Sequence, residues 1–225
     1  MRINVENYLT SAIEATKIGG EILRKFSGRV KEIEFKGETD LVTEVDKYSE
    51  LAIVDSLSSR FPHHSILAEE GTVTENDSEF KWIIDPLDGT TNYAHGYPVF
   101  CVSIALEKNQ EIILGVVYQP MNDELFIAEK GGGSFRNGRR IQVSKVSKLK
   151  HSLVVTGFPP SIVTEPAQAL RMFSNFLRNV QSIRRDGAAA LDLCYLAMGH
   201  FDGFWEINLN PWDTAAGILM TTEAG

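Results

Sequence analysis

The string Trp82-Ile-Ile-Asp-Pro-Leu-Asp-Gly-Thr-Thr-Asn92 constrains this chain more than any other part of it. Its apolar opening reads as a short buried strand, and Asp85 arrives where that strand ends. Pro86 fixes a turn, so Asp88 returns three residues later and both carboxylates can face one point. Two carboxylates held that close repel, and each raises the other's pKa unless a proton or a cation intervenes. A hard divalent cation is the natural solution. Gly89-Thr90-Thr91 then supplies a turn with free backbone N–H groups, as expected where a phosphate sits on a helix N-terminus. An isolated Asp-x-x-Asp-Gly would mean little, because Asp and Gly are ordinary turn residues. The full string is far more specific.

Two further acidic segments fit the same centre. The apolar run Ser65-Ile-Leu-Ala68 leads directly into Glu69-Glu70-Gly71, and Asn210-Pro-Trp-Asp213 opens a helix with an acid in its first turn. Asp213 also admits the plainer reading of a helix N-cap.

The surrounding pattern is that of a mixed fold. Val5, Leu9, Ile13, Ile22 and Phe26 recur at near-helical spacing, predicting a helix over residues 5 to 26. A second helix is predicted from Asp46 to about Arg60, stopped by Phe61-Pro62, with an extended or loop segment from Lys36 to Thr43 before it. From Val99 to Val143, apolar runs broken by polar and Gly/Pro turns predict an antiparallel meander, with Gly131-Gly-Gly133 as a tight hairpin. Beyond residue 150 the rhythm becomes strand (Leu153–Thr156), helix (Ala167–Val180), strand (Ser182–Arg184), helix (Ala188–Met198). A strand from Phe201 to Glu206 and a helix opening near Trp212 complete it. The expectation is an α+β or α/β layered sandwich forming one domain over 1–225, with an antiparallel half to about 145 and an alternating half from about 150.

A net charge of −8 argues against a general nucleic-acid binder, which needs basic surface to displace counterions. Nucleic acid is therefore not an expected partner. No apolar stretch reaches the roughly 20 residues that span a bilayer, and the N-terminus lacks the apolar core of a signal peptide. No membrane partner and a cytoplasmic location are the expectations. Cys101 and Cys194 lie in apolar runs and read as buried, reduced core residues. His63, His64 and His95 are not needed as ligands of a hard-oxygen site and are expected to be solvated or capping.

Asp85-Pro-Leu-Asp-Gly-Thr-Thr-Asn92 and Trp212-Asp-Thr-Ala-Ala-Gly217 resemble the two signatures of the inositol monophosphatase family. Four supporting blocks follow in family order: Asp40-Leu-Val-Thr-Glu-Val-Asp46, Ala68-Glu-Glu-Gly71, Gly115-Val-Val-Tyr118 and Arg184-Arg-Asp-Gly-Ala-Ala-Ala-Leu191. The resemblance implies the layered αβαβα sandwich shared by inositol monophosphatases, fructose-1,6-bisphosphatases and related sugar phosphatases. It implies a Mg²⁺-dependent phosphomonoesterase, commonly a homodimer, that acts on a small phosphorylated polyol with myo-inositol 1-phosphate favoured.

Carried over by position, Glu69, Asp85 and the Leu87 carbonyl would hold a first metal and Asp85, Asp88 and Asp213 a second. The resemblance makes Thr90 and Asp46, with Glu69, the residues that orient the attacking water, although a threonine there could merely cap a helix. Asp88, Gly89, Thr90 and Asp213 would lie along the substrate, and Gly187, Ala188 and Ala189 would line the polyol pocket. Glu206 would accept a substrate hydroxyl. Arg184 would stand near substrate, against the plainer reading of Arg184 and Arg185 as surface ion-pair residues. Lys36 matches a lysine near the site or is a solvated loop residue. The resemblance also implies inhibition by Li⁺, and family members usually continue past Glu223-Ala-Gly225. The Asp-Pro-x-Asp-Gly core is shared with relatives acting on fructose 1,6-bisphosphate, histidinol phosphate or 3′-phosphoadenosine 5′-phosphate. Some members contact transcription machinery, so a regulatory binding protein is the alternative of another class.

Overall fold

The computed structural model describes residues 5–28, 33–35, 41–158 and 166–225. Lys36 and Asp40 lie outside the described residues.

Helix α1 (Val5–Phe26) is followed by short strands β1 (Ile33–Phe35) and β2 (Leu41–Thr43), which pair antiparallel, and by α2 (Glu44–Arg60). Then come β3 (Ser65–Ala68), β4 (Val73–Thr74), β5 (Phe80–Asp88), α3 (Thr90–Ala94), β6 (Cys101–Lys108), β7 (Glu111–Gln119), β8 (Glu124–Glu129), β9 (Gly133–Arg136) and β10 (Arg139–Arg140). The last third holds a 3₁₀ turn (Leu149–His151), β11 (Leu153–Thr156), α4 (Pro166–Asn179), β12 (Ser182–Arg184), α5 (Ala189–Ala197), β13 (Gly203–Trp205) and α6 (Pro211–Ala224).

An eight-stranded sheet runs in the order β10-β9-β8-β7-β6-β5-β3-β4. Consecutive strands from β5 to β10 pair antiparallel, and β3 pairs parallel to β5. A smaller parallel sheet, β12-β11-β13, stands apart. Helices α1 and α2 cover one face of the large sheet, α5 and α6 the other; α5 also meets the small sheet, and α4 packs on β12. The result is the α+β layered sandwich expected from the sequence.

Strand β5 shows why its sequence is apolar without alternation. Trp82 and Ile84 enter the core under α1 and α2, whereas Ile83 enters the core shared with α5 and α6. A strand buried on both faces has no polar side to display. Close approach sets the position of α6: a Cβ at Gly217 would fall 2.6 Å from Leu193 Cβ, and one at Gly115 would fall 2.9 Å from the Ala216 carbonyl oxygen. Small residues thus let α6 lie directly on α5 and on β7. No described helix is long and apolar enough to cross a membrane.

Some details differ from the sequence reading. Helix α2 begins two residues early, at Glu44. Strand β5 does not stop at Asp85 but continues to Asp88. His64 is neither solvated nor capping: its ring stacks between Phe61 (4.9 Å between centroids) and Phe80 (4.8 Å), and burial pulls its pKa down. Cys101 and Cys194 are free and buried.

Candidate active site

The centre of the site is an irregularity in β5. Asp85 pairs with Ser103 and Asp88 with Cys101, so three steps on one strand match two on its neighbour. Such a bulge re-aims side chains and accommodates Pro86, which cannot donate to the ladder. Two bonds hold its shape: Leu87 N–H donates to Asp85 Oδ1 (3.0 Å), and Ser49 Oγ donates to the Pro86 carbonyl (3.0 Å). The Leu87 side chain is fully buried, which leaves its carbonyl to accept from Thr90 Oγ1 at 3.1 Å.

Asp88 is seated on the first turn of α5. Its Oδ1 accepts from Ala189 N–H (3.1 Å) and its Oδ2 from Ala190 N–H (2.7 Å), with Cys101 Sγ 3.6 Å from Oδ2. The helix N-terminus favours the anion. Burial nevertheless pushes Asp88 up to about 7, with Asp213 adding to it and the Ala190 and Cys101 bonds pulling it back. Asp85 is raised well above the usual carboxylate range, first by burial and then by Glu69, Asp88, Asp213 and Asp46, all pushing the same way.

Helix α2 organises the rest of the acidic wall. Asp46, Ser49 and Glu50 lie three and four residues apart, on one face, and all are buried. Glu50 accepts from Glu70 N–H (2.7 Å), Thr72 N–H (3.1 Å) and Thr72 Oγ1 (2.6 Å), fixing the turn that follows Glu69. Thr90 Oγ1 lies 3.4 Å from Asp46 Oδ2, longer than a full hydrogen bond. One hydroxyl proton cannot serve both the Leu87 carbonyl and Asp46, and the shorter Leu87 bond takes it.

Asp213 occupies the third position of α6, not its N-cap. Asn210 is the cap: its N–H donates to Asp213 Oδ2 (2.6 Å) in a capping box, and Pro211 starts the helix. Burial raises the pKa of Asp213, against the lowering effect of Asn210.

These groups surround a cavity of about 240 Å³. Glu69, Asp88, Gly89, Thr90 and Asp213 line one part of it, and Gly187, Ala189 and Glu206 line another. Asp85, Leu87, Asp46 and Ala188 are buried without lining it. Ala188 instead packs under Gly89, whose backbone is left-handed (φ 94°). Burial pushes Glu206 up to about 7, Arg185 pulls it down, and Asp213 pushes it up.

Arg184 does not reach the cavity. It is exposed, and its Nη1 donates to Ser182 Oγ (2.8 Å) and to the Ile183 carbonyl (3.0 Å). Its neighbour Arg185 lines the cavity in its place, as successive side chains of extended backbone point to opposite sides. Ser49, Glu50 and Asn92 also shape the site, although no motif marks them for such a role. Asn92 Nδ2 donates to the Val99 and Asp186 carbonyls (2.7 Å each) and so ties α3 to the loop before Gly187. The spacing of polar residues at 46, 49 and 50 on the stripe that continues to Ile53 and Leu57 was the available signal.

The site can bear a cation. Its donors are all oxygen, and the charges acting on buried Asp85 are all negative. Among the described residues no three acidic, histidine or cysteine side chains close into a ligand cage. Oxygen donors suit Mg²⁺, which usually takes one or two carboxylates and keeps waters and substrate oxygens.

A family model described as the inositol monophosphatase family matches residues 4–225. A protein of Aquifex aeolicus named fructose-1,6-bisphosphatase/inositol-1-monophosphatase is 44% identical over 224 residues, which cover 99% of this chain and 85% of that protein. A putative Nus factor SuhB of Neisseria meningitidis is 40% identical over 221 residues, 97% of this chain and 85% of its own. Among solved structures, the extragenic suppressor protein suhB from Bartonella henselae superposes with a TM-score of 0.94 at 43% identity, covering 97% of this chain and 85% of that one.

Proposed function

Since the chain belongs to the inositol monophosphatase family, a family of phosphatases, we propose that it hydrolyses myo-inositol 1-phosphate to inositol and phosphate with Mg²⁺. The observation that carries this reading is the convergence of Glu69, Asp88, Thr90 and Asp213, from four separate elements, on one cavity that also contains Glu206.

In this reading Glu69, Asp85 and the Leu87 carbonyl would hold a first metal, and Asp85, Asp88 and Asp213 a second. Bound there, Mg²⁺ supplies Lewis-acid polarisation of the phosphate ester and activation of water. Glu69 and Thr90 orient the attacking water, with Asp46 Oδ2, 3.4 Å from Thr90 Oγ1, as the acceptor that would hold the threonine hydroxyl. Gly89, left-handed and packed against Val99 and Ala188, makes the turn that delivers Thr90 to the pocket. Glu206 accepts a hydroxyl of the polyol, and backbone at Gly187, Ala188 and Ala189 shapes that side of the pocket. Water attacks phosphorus in line and the P–O ester bond breaks; one water proton stays with the phosphate, the other ends on the departing ester oxygen as the inositol hydroxyl, and no bond to the protein forms. We further read the protein as a cytoplasmic homodimer.

The test is phosphate release from myo-inositol 1-phosphate beside fructose 1,6-bisphosphate, histidinol phosphate and 3′-phosphoadenosine 5′-phosphate. Preference for the inositol ester is expected; preference for another would keep the reaction and overturn the substrate. Millimolar Li⁺ should slow turnover, and indifference to it would count against the Asp85, Asp88 and Asp213 arrangement. A second reading, a regulatory contact with transcription machinery, is favoured by the relative named a putative Nus factor. Partner binding that survives Asp88→Asn in a chain without metal-dependent turnover would establish it.

A further inference from the structure

Parallel strands β11 and β13 pair Thr156 with Trp205, so the next residues, Gly157 and Glu206, leave the sheet side by side at its C-terminal edge. That edge is where open parallel sheets present their ligands. Thr156 Oγ1 donates to the Trp205 carbonyl at 2.7 Å and is fully buried, fixing the two strand ends against each other one residue before the pair. Both Gly157 and Glu206 line the cavity.

The Glu206 carboxylate lies directly against the Gly157 backbone. A Cβ at position 157 would fall inside van der Waals contact of Oε1, Oε2 and Cδ of Glu206. A glycine here gives the carboxylate room that no other residue leaves. On the same wall Phe158 packs on Trp205 (6.0 Å between centroids) and Phe173 (5.8 Å), and Phe176 stacks on Trp205 at 5.5 Å. A methyl group at position 157 would therefore displace the carboxylate from the place it now occupies.

We propose that Gly157 is a specificity-determining positioning residue, whose missing side chain holds the Glu206 carboxylate where it can accept a hydroxyl of a polyhydroxylated phosphate ester. The inference rests on the assignment of Glu206 as hydroxyl acceptor. It concerns the alcohol part of the substrate and leaves hydrolysis itself to the acidic wall. Gly157 acts only through Glu206, so its effect must vanish when Glu206 is removed.

The experiment is a double-mutant cycle with Gly157→Ala, Glu206→Ala and both together, assayed with Mg²⁺ on myo-inositol 1-phosphate and on phenyl phosphate, with thermal unfolding of each variant. Gly157→Ala is expected to lower kcat/KM for the inositol ester roughly ten- to a hundredfold, the scale of one hydrogen bond to a charged group. Turnover of phenyl phosphate, which has no hydroxyl to offer, should stay within about twofold. In the Glu206→Ala background the same substitution should change neither kinetics nor unfolding temperature. Should Gly157→Ala alone fail to fold, folding of the double variant would support the inference as strongly. Equal losses on both esters, equal effects in both backgrounds, or failure of the double variant to fold would overturn it. A wild-type chain that cleaves phenyl phosphate without preferring the inositol ester would contradict the substrate assignment, whereas absent thermal coupling would contradict the Gly157 contact itself.

Discussion

Glu50 and Thr72 are joined by two hydrogen bonds to one carboxylate oxygen, from the backbone N–H at 3.1 Å and from Oγ1 at 2.6 Å, while the other oxygen takes Glu70 N–H at 2.7 Å. Three donors thus converge on a carboxylate that is only 3% exposed. Glu50→Gln keeps the shape but turns an NH₂ group toward at least one of them, leaving a buried donor unsatisfied. The expected cost is about 1–3 kcal/mol of stability. Because the affected turn carries Glu69, half-saturation by Mg²⁺ should also move to higher concentration. Urea unfolding and Mg²⁺ titration check both effects; a variant as stable as the parent, with the same Mg²⁺ response, would remove Glu50 from the account.

Arg185 and Arg184 should behave differently despite being neighbours. Arg185 lowers the pKa of Glu206, which burial has pushed up to about 7. If the carboxylate form accepts the substrate hydroxyl, kcat/KM for the inositol ester rises with pH as Glu206 ionises. Arg185→Ala then moves that rise to higher pH, while Arg184→Ala leaves it in place. A shift in Arg184→Ala but not in Arg185→Ala would reverse the assignment.

Asp192, on α5, is 1% exposed, and among the described residues its Oδ1 has no hydrogen-bond partner. Burial pushes its pKa up to about 9, with Asp186, Asp88 and Glu206 adding and Arg185 opposing. The folded value lies above the ordinary 3.8, so folding takes up a proton, and the stability tied to this group is lost as pH rises from about 4 to about 9. Asn cannot titrate, so Asp192→Asn should gain stability relative to the parent progressively across that window. Denaturant unfolding at several pH values measures it; a pH-independent difference would mean that Asp192 is not held neutral.

Local patterns were legible where one physical rule governs them. The apolar spacing of α1 marked residues 5 to 26, and the short run at Ser65–Ala68 is β3 as expected. Asp88 and Asp213 are marked by the two signature strings that contain them, since turn and cap chemistry alone leaves a plain structural use open for each. The bulge was not legible, since β5 continues through Asp85 only because β6 offers partners on both sides of Pro86. Glu50 was hidden because a glutamate on a helix usually faces water, and its burial follows from where the 69–72 turn lands. The resemblance points to Arg184, yet which of the two neighbouring arginines turns inward depends on where β12 ends. His64 is stacked by Phe80, sixteen residues away, so its half-buried setting is a tertiary fact.

The most direct test of the central claim is phosphate release from myo-inositol 1-phosphate across Mg²⁺ concentrations by the parent chain and by Asp88→Asn. The expected result is turnover that saturates with Mg²⁺, is abolished by chelation, and falls roughly a hundredfold or more in a variant that remains folded by circular dichroism. Turnover indifferent to chelation, or a folded Asp88→Asn as active as the parent, would contradict it.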